Sequence, residues 1–131
     1  MSEIRVEIQE TLDAVARAVH SGVNVEDIAK LLYMPDMLVV GEGWPGAIRS
    51  IEAFLPDFTE LVQSWGPEPE LIFTLVDPLI VGSDAVTSLV DLSITCKDPS
   101  VQTEYLRIVY AWVRYEQGWR VKAEMYTVGS Y

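Results

Sequence analysis

The chain has 131 residues, half of them hydrophobic, which is typical of one domain with a substantial core. Nine Lys and Arg against twenty Asp and Glu give a formal charge of −11, so nucleic acid and anionic membrane surfaces are not expected partners. Cys96 is the only cysteine, which excludes an intrachain disulfide and a cysteine-built zinc site. The acidic, amphipathic start is unlike a targeting peptide, and no apolar run reaches membrane-spanning length. We therefore expect residues 1–131 to form one cytoplasmic domain.

The first part of the chain predicts two helices and a strand. Apolar residues recur every three or four positions from Ile4 to Val19 and form one stripe of a first helix, which Gly22 ends. Asn24 caps a shorter second helix that Pro35 stops. The brief apolar strand 37–40 follows and leads into a glycine-rich loop.

A third helical region is expected at about 47–65, where Pro56 should kink or split it. After it the composition changes to runs of β-branched and aromatic residues separated by turn residues. The four strands predicted there span residues 71–81, 85–97, 101–116 and 119–128. Helices followed by hairpin-connected strands indicate the α+β class, with three helices packed on an antiparallel sheet.

This arrangement resembles the nuclear transport factor 2-like superfamily, which includes ketosteroid isomerase and SnoaL-type polyketide cyclases. The resemblance covers nearly the whole chain and is carried by "VNVEDIAKLLYMPDMLVV", "SIEAF", "VGSDAVTSLVDL" and "WVRYEQGWRVKAEM". The last segment is the most specific, because a charged turn and Gly118-Trp119 leading into a final strand are a recurrent ending of these domains. The resemblance implies a strongly curved sheet and a cystatin-like cone with an internal pocket. None of the segments is a catalytic motif, so it implies a fold rather than an activity.

In this family the concave face of the sheet lines the pocket and the convex face often forms a dimer. Strand alternation, with Ala111 taken to face inward, divides the residues between the two faces. The predicted inward set is Ser88, Val90, Arg107, Val109, Ala111, Ala123 and Met125. The residues expected to complete the pocket wall are Tyr33, Met37, Val39, Trp44, Phe54 and Phe58. The outward set is too apolar for a solvated face and predicts a homodimer through Leu106, Ile108, Tyr110 and Trp112.

The catalytic groups of ketosteroid isomerase are missing from the sequence. Laying the chain on the family pattern without gaps puts Gly41 at the position of the carboxylate base and Ala111 at that of the acid donor. The first helix offers Arg17 or a neighbouring alanine in place of the tyrosine donor. His20 is the only histidine, so neither a histidine-based dehydratase nor a metal site built on a histidine-carboxylate cluster is expected.

Glu42 is the remaining candidate for an acid or base. It lies one residue beyond the family's base position, and a bulge between its glycine neighbours would turn the side chain inward beside Trp44. The alternative is a solvated loop carboxylate. Asp36 is interpreted as turn chemistry at a helix-to-strand junction.

Two functions follow from these observations, and whether the protein is an enzyme stays open. The first is a binding domain whose mostly apolar pocket holds a small hydrophobic or aromatic molecule. That ligand carries a carboxylate if Arg107 binds it, whereas Glu104 or Glu124 would be internal partners of Arg107 instead. The alternative is a small isomerase, cyclase or lyase in which Glu42 transfers a proton. No cofactor or metal is expected.

Overall fold

The computed structural model describes residues 2–116 and 118–129. Gln117, in the last predicted turn, lies outside the described residues. The helices are α1 (Ser2–His20), α2 (Val25–Leu32) and α3 (Ile51–Ser64). The strands are β1 (Tyr33–Gly41), β2 (Glu70–Val81), β3 (Val86–Thr95), β4 (Glu104–Tyr115) and β5 (Gly118–Val128). The α+β class is confirmed, and none of the described helices is long and apolar enough to cross a membrane.

The ends of the first two helices follow the predicted signals. Gly22 has a φ of +76°, a left-handed conformation that favours glycine and stops α1. The Asn24 side chain accepts a hydrogen bond from the backbone N–H of Asp27 at 2.9 Å and caps α2. Because these contacts involve residues close together in the sequence, the ends of both helices could be predicted from the sequence alone.

Helix α3 starts later than the sequence pattern suggests. Ile48 forms an isolated antiparallel bridge with Val39 of β1, which keeps the preceding segment extended. Ser50 then caps the helix by accepting a hydrogen bond from the N–H of the third residue that follows, at 3.1 Å. Pro56 lies inside α3 without dividing it.

The sheet is mixed and its strand order is β1-β5-β4-β3-β2. Strands β2 to β5 form the predicted antiparallel meander. Strand β1, however, pairs with β5 in the parallel direction, so the expectation of an entirely antiparallel sheet is wrong. Helix α3 and strands β2 to β4 separate β1 from its partner β5 along the chain. Because this connection is long, unlike a hairpin turn, β5 can run in the same direction as β1.

The predicted faces of β4 are reversed in the structure. The larger apolar side chains are buried inside the cone, and these are Leu106, Ile108, Tyr110 and Trp112. Arg107, Val109 and Ala111 alternate with them on the outer face. Alternation separates the two sets but does not say which one is inside, and burial of the larger apolar surface decides it.

Strand β5 changes face in its middle because it contains a β-bulge. Val121 lies opposite Trp112 and Ala123 lies opposite Ala111, which leaves Lys122 as one extra residue in β5. Trp119 and Val121, before the bulge, are buried as predicted. Beyond it Glu124 is buried, whereas Ala123 and Met125 point outward, contrary to the sequence prediction.

One cluster of side chains ties α1 to the β4–β5 hairpin. The indole N–H of Trp119 donates to Glu7 Oε1 at 2.8 Å, and Arg114 Nη2 lies 3.0 Å from the same oxygen. The Arg114 guanidinium also lies 4.2 Å from the centroid of the Trp119 ring. These contacts attach α1 to the sheet, and the apolar stripe predicted for this helix packs against the sheet.

A pair of alanine substitutions tests the corrected faces of β4. We expect Ile108→Ala, which truncates a buried side chain, to lower the free energy of unfolding by about 2–5 kcal/mol. Val109→Ala removes methyl groups from a residue that is 44% exposed and should cost below about 1 kcal/mol. Urea denaturation measures both values, and comparable losses would contradict the assignment of faces.

Candidate functional site

A small cavity lies between the helices and the inner face of the sheet. Its walls are apolar side chains of α1, α3 and the strands, with one carboxyl group, that of Glu124, and three phenols among them. The volume of the cavity, measured as the space open to the centre of a water molecule, is about 40 Å³. That volume exceeds what a single water needs, but it is far below that of sites for drug-sized ligands.

Glu124 is the central polar group of the cavity. Only 8% of the residue is exposed, because the bulge at Lys122 turns its side chain inward. Burial raises the pKa of the Glu124 carboxyl to about 7, since desolvation disfavours the charged form. A hydrogen bond from the Tyr33 hydroxyl to Glu124 Oε1, 2.5 Å long, acts in the opposite direction and lowers that pKa. The carboxyl is therefore poised to change its protonation state near neutral pH.

Three tyrosines surround this carboxyl. Tyr110 lies directly opposite Glu124 in the β4–β5 register. Burial, and then the negative charge of Glu124, raise the pKa of Tyr33 and of Tyr110 well above the usual value. The same two causes raise the pKa of Tyr126. All three phenols stay protonated at neutral pH and can donate a hydrogen bond.

Aromatic rings form one wall of the cavity. Phe54 and Phe58, one turn apart on α3, stack with their ring centroids 4.9 Å apart. Tyr33 meets Phe54 edge to face, with a centroid separation of 5.3 Å. Aromatic faces carry partial negative charge, so this wall is apolar but not electrostatically neutral.

Tyr33 lines a second, outer cleft as well as the inner cavity. The cleft is open, has a volume of about 670 Å³ and is lined by polar residues of α2 and of the β4–β5 end of the sheet. Lys30 and Arg120 are among them, together with the acidic Glu26 and Glu116. Tyr33 is thus shared by an outer cleft with charged residues and an apolar inner cavity.

The sequence prediction placed several residues correctly inside the cone. Tyr33, Phe54 and Phe58 line the cavity. Trp44 is half-buried behind it, with its ring 5.6 Å from that of Tyr126 and 6.3 Å from that of Phe54. The other correctly buried residues belong to the surrounding core, and these are Met37, Val39, Ser88 and Val90.

Five residues predicted for the pocket face away from the cavity. They are Arg107, Val109, Ala111, Ala123 and Met125. Arg107 lies on the outer face of the sheet, with Nε 3.5 Å from Asp91 Oδ1 on the neighbouring strand. The errors arose from the reversed faces of β4 and from the bulge in β5.

Glu42 does not have the inward position that its proposed role requires. The residue is exposed, and its carboxylate accepts a hydrogen bond from the Val128 N–H at 3.3 Å. Asp36 is also at the surface, where a hydrogen bond from Lys122 at 2.9 Å lowers the pKa of its carboxyl. Glu124, predicted only as a possible partner of Arg107, is the carboxyl that the sequence prediction left out of the pocket, because no residue pattern marked the bulge at Lys122.

Gly41, at the family's base position, has a steric reason to be glycine. A Cβ atom at this position would lie 2.6 Å from the hydroxyl oxygen of Tyr126 and 2.7 Å from Cε2 of Trp44. Both rings would have to move to make room for any side chain. The two aromatic rings therefore occupy the space that a carboxylate base would need here.

The shape of the chain is shared by solved structures of low sequence identity. A protein of unknown function with a cystatin-like fold from Nostoc punctiforme has a TM-score of 0.75 at 10% identity, covering 95% of this chain and 90% of the other. A nuclear transport factor 2-like superfamily protein from Salmonella enterica has a TM-score of 0.72 at 16% identity, covering 99% and 94%. An NTF2-like protein with a cystatin-like fold from Novosphingobium aromaticivorans has a TM-score of 0.69 at 18% identity, covering 98% and 84%.

No family model and no curated protein sequence matches the chain. The structural likeness shows that the chain has the cystatin-like fold of nuclear transport factor 2-like proteins, and it confirms the resemblance seen in the sequence. At these identities the likeness establishes a fold alone.

The buried carboxyl makes stability depend on pH. Between pH 4.5 and about 7 the folded state keeps the Glu124 proton that the unfolded chain has lost, so stability falls as the pH rises through this window. Glu124→Gln removes this cost, which is on the order of 3 kcal/mol. We expect the variant to be as stable as the native protein at pH 5 and more stable at pH 8. Urea denaturation at both pH values measures this, and equal stabilities at pH 8 would contradict the raised pKa.

Gly41→Ala tests the close approach of the two rings. Because the new methyl group displaces Tyr126 and Trp44, we expect a loss of about 1–3 kcal/mol in unfolding free energy. Gly46→Ala in the following loop is the control, since a Cβ there meets nothing within 4 Å. Thermal denaturation compares the two variants, and an equally small effect of both would show that the rings yield without cost.

Proposed function

We propose that the protein binds a small, mostly apolar molecule in the inner cavity and holds one polar group of that molecule with Glu124 and Tyr33. The observation that carries the proposal is a buried carboxyl, hydrogen-bonded to a buried phenol, in an otherwise apolar lining. Burying a carboxyl without a charged partner is unfavourable for folding. A ligand that completes its hydrogen bonds offsets that cost, and the apolar wall supplies the remaining affinity.

The size of the cavity limits what lies inside it. About 40 Å³ of room for water centres accommodates a short alkyl chain or a single small group rather than a whole cofactor. A longer ligand would place its remaining part in the outer cleft, which Tyr33 also lines. The proposal thus combines a short apolar segment inside the cone with a more polar part in the cleft.

Butan-1-ol is a suitable first test ligand, because it combines a short apolar chain with one hydroxyl group. We expect its titration to shift the amide NMR signals of cavity-lining residues, and Val19→Phe, which fills the cavity from α1, to abolish those shifts. Val23→Phe makes the same change at an exposed residue and should leave binding intact. Unchanged binding to the Val19→Phe variant would overturn the proposed location.

A second candidate function is proton transfer, and one observation favours it. The pKa of about 7 gives Glu124 both protonation states at neutral pH, which suits a general base, and neighbouring phenols can donate to a developing oxyanion. Under this alternative the isomerase or lyase chemistry predicted for Glu42 would belong to Glu124.

Exchange of the α-hydrogens of butanone in D₂O, followed by proton NMR, tests this alternative. If Glu124 is a base, Glu124→Gln should reduce the protein-catalysed exchange rate by about 10²–10⁴-fold. Glu42→Gln should leave the rate within about twofold, since that carboxylate accepts a backbone hydrogen bond at the surface. Exchange no faster than in buffer would leave binding as the better proposal.

We also propose a homodimer through the outer face of the sheet, with a different set of residues from the one predicted. One row of apolar side chains crosses all five strands on that face, formed by Val40, Met125, Val109, Leu89 and Val76. The paired charges of Asp91 and Arg107 lie beside this row. A two-fold axis parallel to the strands, between β3 and β4, would place the Asp91 carboxylate of one copy opposite the Arg107 guanidinium of the other, so a second copy is the occupant that we propose.

A charge placed in the middle of the row tests the dimer. Val109→Glu should produce a monomer in multi-angle light scattering, because an unpaired carboxylate would be buried in the interface. Val6→Glu is the matched control on an exposed position of α1 and should leave the mass unchanged. A dimer that survives Val109→Glu would exclude this face.

A further inference from the structure

The described residues that line the cavity include an acidic side chain but no basic one. Glu124 is the only charged side chain among the described residues that line it, and no Lys, Arg or His is present there. A ligand carboxylate was expected only if Arg107 faced inward, and Arg107 lies on the outer face. Any anion entering the cavity would meet the carboxyl of Glu124 without a compensating positive charge.

We propose that the site recognises a small primary amine, with its ammonium group bound between Glu124 and the aromatic wall and its alkyl part in the apolar cavity. This inference rests on the proposed function, because it requires that the cavity bind a ligand.

The hydrogen-bond geometry suits an ammonium donor. The Tyr33 hydroxyl donates its proton to Glu124 Oε1, so the phenol oxygen keeps its lone pairs for a donor from the ligand. A carboxylate offers several acceptor sites, and one phenol proton satisfies only one of them. An ammonium group has three donors and no acceptor, which complements a phenol oxygen and a carboxylate next to each other.

The aromatic rings add a second attraction for a cation. Tyr33, Phe54 and Phe58 form a contiguous group whose centroids lie 4.9–6.4 Å apart. A cation within about 6 Å of a ring face is attracted by the ring quadrupole, and the attraction is stronger where the cation is desolvated. Anionic and neutral polar groups lack this gain, so the wall discriminates in the same direction as Glu124.

The groups that surround Glu124 leave its charge uncompensated. The titratable side chains that face it are the phenols of Tyr33, Tyr110 and Tyr126, one each from β1, β4 and β5. The lining residues from α1, α3, β2 and β3 are apolar. The carboxylates of Asp57 and Glu42, which act on Tyr126, are also negative. Among the described residues that line the cavity none is positively charged, so a bound ammonium would be the first positive charge beside Glu124 and would favour its ionised form.

The charge of the whole chain acts in the same sense. A formal charge of −11 raises the local concentration of cations at the surface and disfavours anionic ligands. The outer cleft carries Lys30 and Arg120 but also Glu26, Glu52 and Glu116. Because its acidic residues outnumber its basic ones, the cleft does not repel cations.

The test compares n-butylammonium with butan-1-ol, which share their chain and differ in the charge of the polar group. Amide NMR titrations of the native protein at pH 8 should give a dissociation constant at least tenfold lower for n-butylammonium. Between pH 6 and pH 8 the affinity for the amine should rise about tenfold, because the amine stays protonated while Glu124 ionises. The affinity for the alcohol should change much less.

Two variants locate the effect. Glu124→Gln should remove most of the advantage of the amine over the alcohol, while Glu60→Gln, on the exposed surface of α3, changes the formal charge equally and should preserve it. The pH dependence of the native protein provides the same information if Glu124→Gln does not fold.

The outcomes separate this inference from the proposed function. Equal affinities for alcohol and amine, both abolished by Val19→Phe, would overturn the ammonium inference and leave the binding function standing. The absence of any shifts with either ligand would overturn both. A preference for the amine that Glu124→Gln leaves intact would place the cation elsewhere and also overturn the inference.

Discussion

The burial of the Glu124 carboxyl is the constraint around which the interior of this cone is arranged. An ionised carboxylate in an apolar cavity is unfavourable, so the folded chain holds its proton more tightly and supplies one phenol donor, Tyr33, at 2.5 Å. The aromatic residues around the pair lower the local dielectric, which strengthens each electrostatic interaction inside. The properties of the cavity thus follow from one acidic side chain and the rings that enclose it.

Position of the carboxyl depends in turn on the backbone of β5. The extra residue at Lys122 changes which side chains of the strand point inward, and it does so beside the parallel pairing with β1. Lys122 itself reaches the backbone and side-chain oxygens of Asp36 in β1. Strand geometry, surface contacts and the interior site are therefore linked along a short stretch of two neighbouring strands.

Most of the fold could be predicted from the sequence, but little of the candidate site could be. Helix caps, the apolar stripe of α1 and the strand runs are local signals, and they gave the element order correctly. Facing is a tertiary property: alternation divided β4 into two sets, and the assumption about Ala111 chose the wrong one. The residue types do not indicate the bulge, so Ala123 and Met125 were predicted to point inward and Glu124 was not included in the inward set. For Gly41 the sequence was more informative: it shows directly that this position has no side chain, and in the structure the position is too crowded for one.

The bulge also has a consequence for how such a site could diverge. If β5 kept Lys122 but lost the bulge, simple alternation from Val121 onward would turn Glu124 outward, and the thioether of Met125 would point inward. A one-residue change in the pairing of β5 with β4 could thereby exchange an acidic interior for an apolar one without any substitution among the cavity-lining side chains. Small cones of this kind can acquire new ligand chemistry through strand register as well as through point mutation.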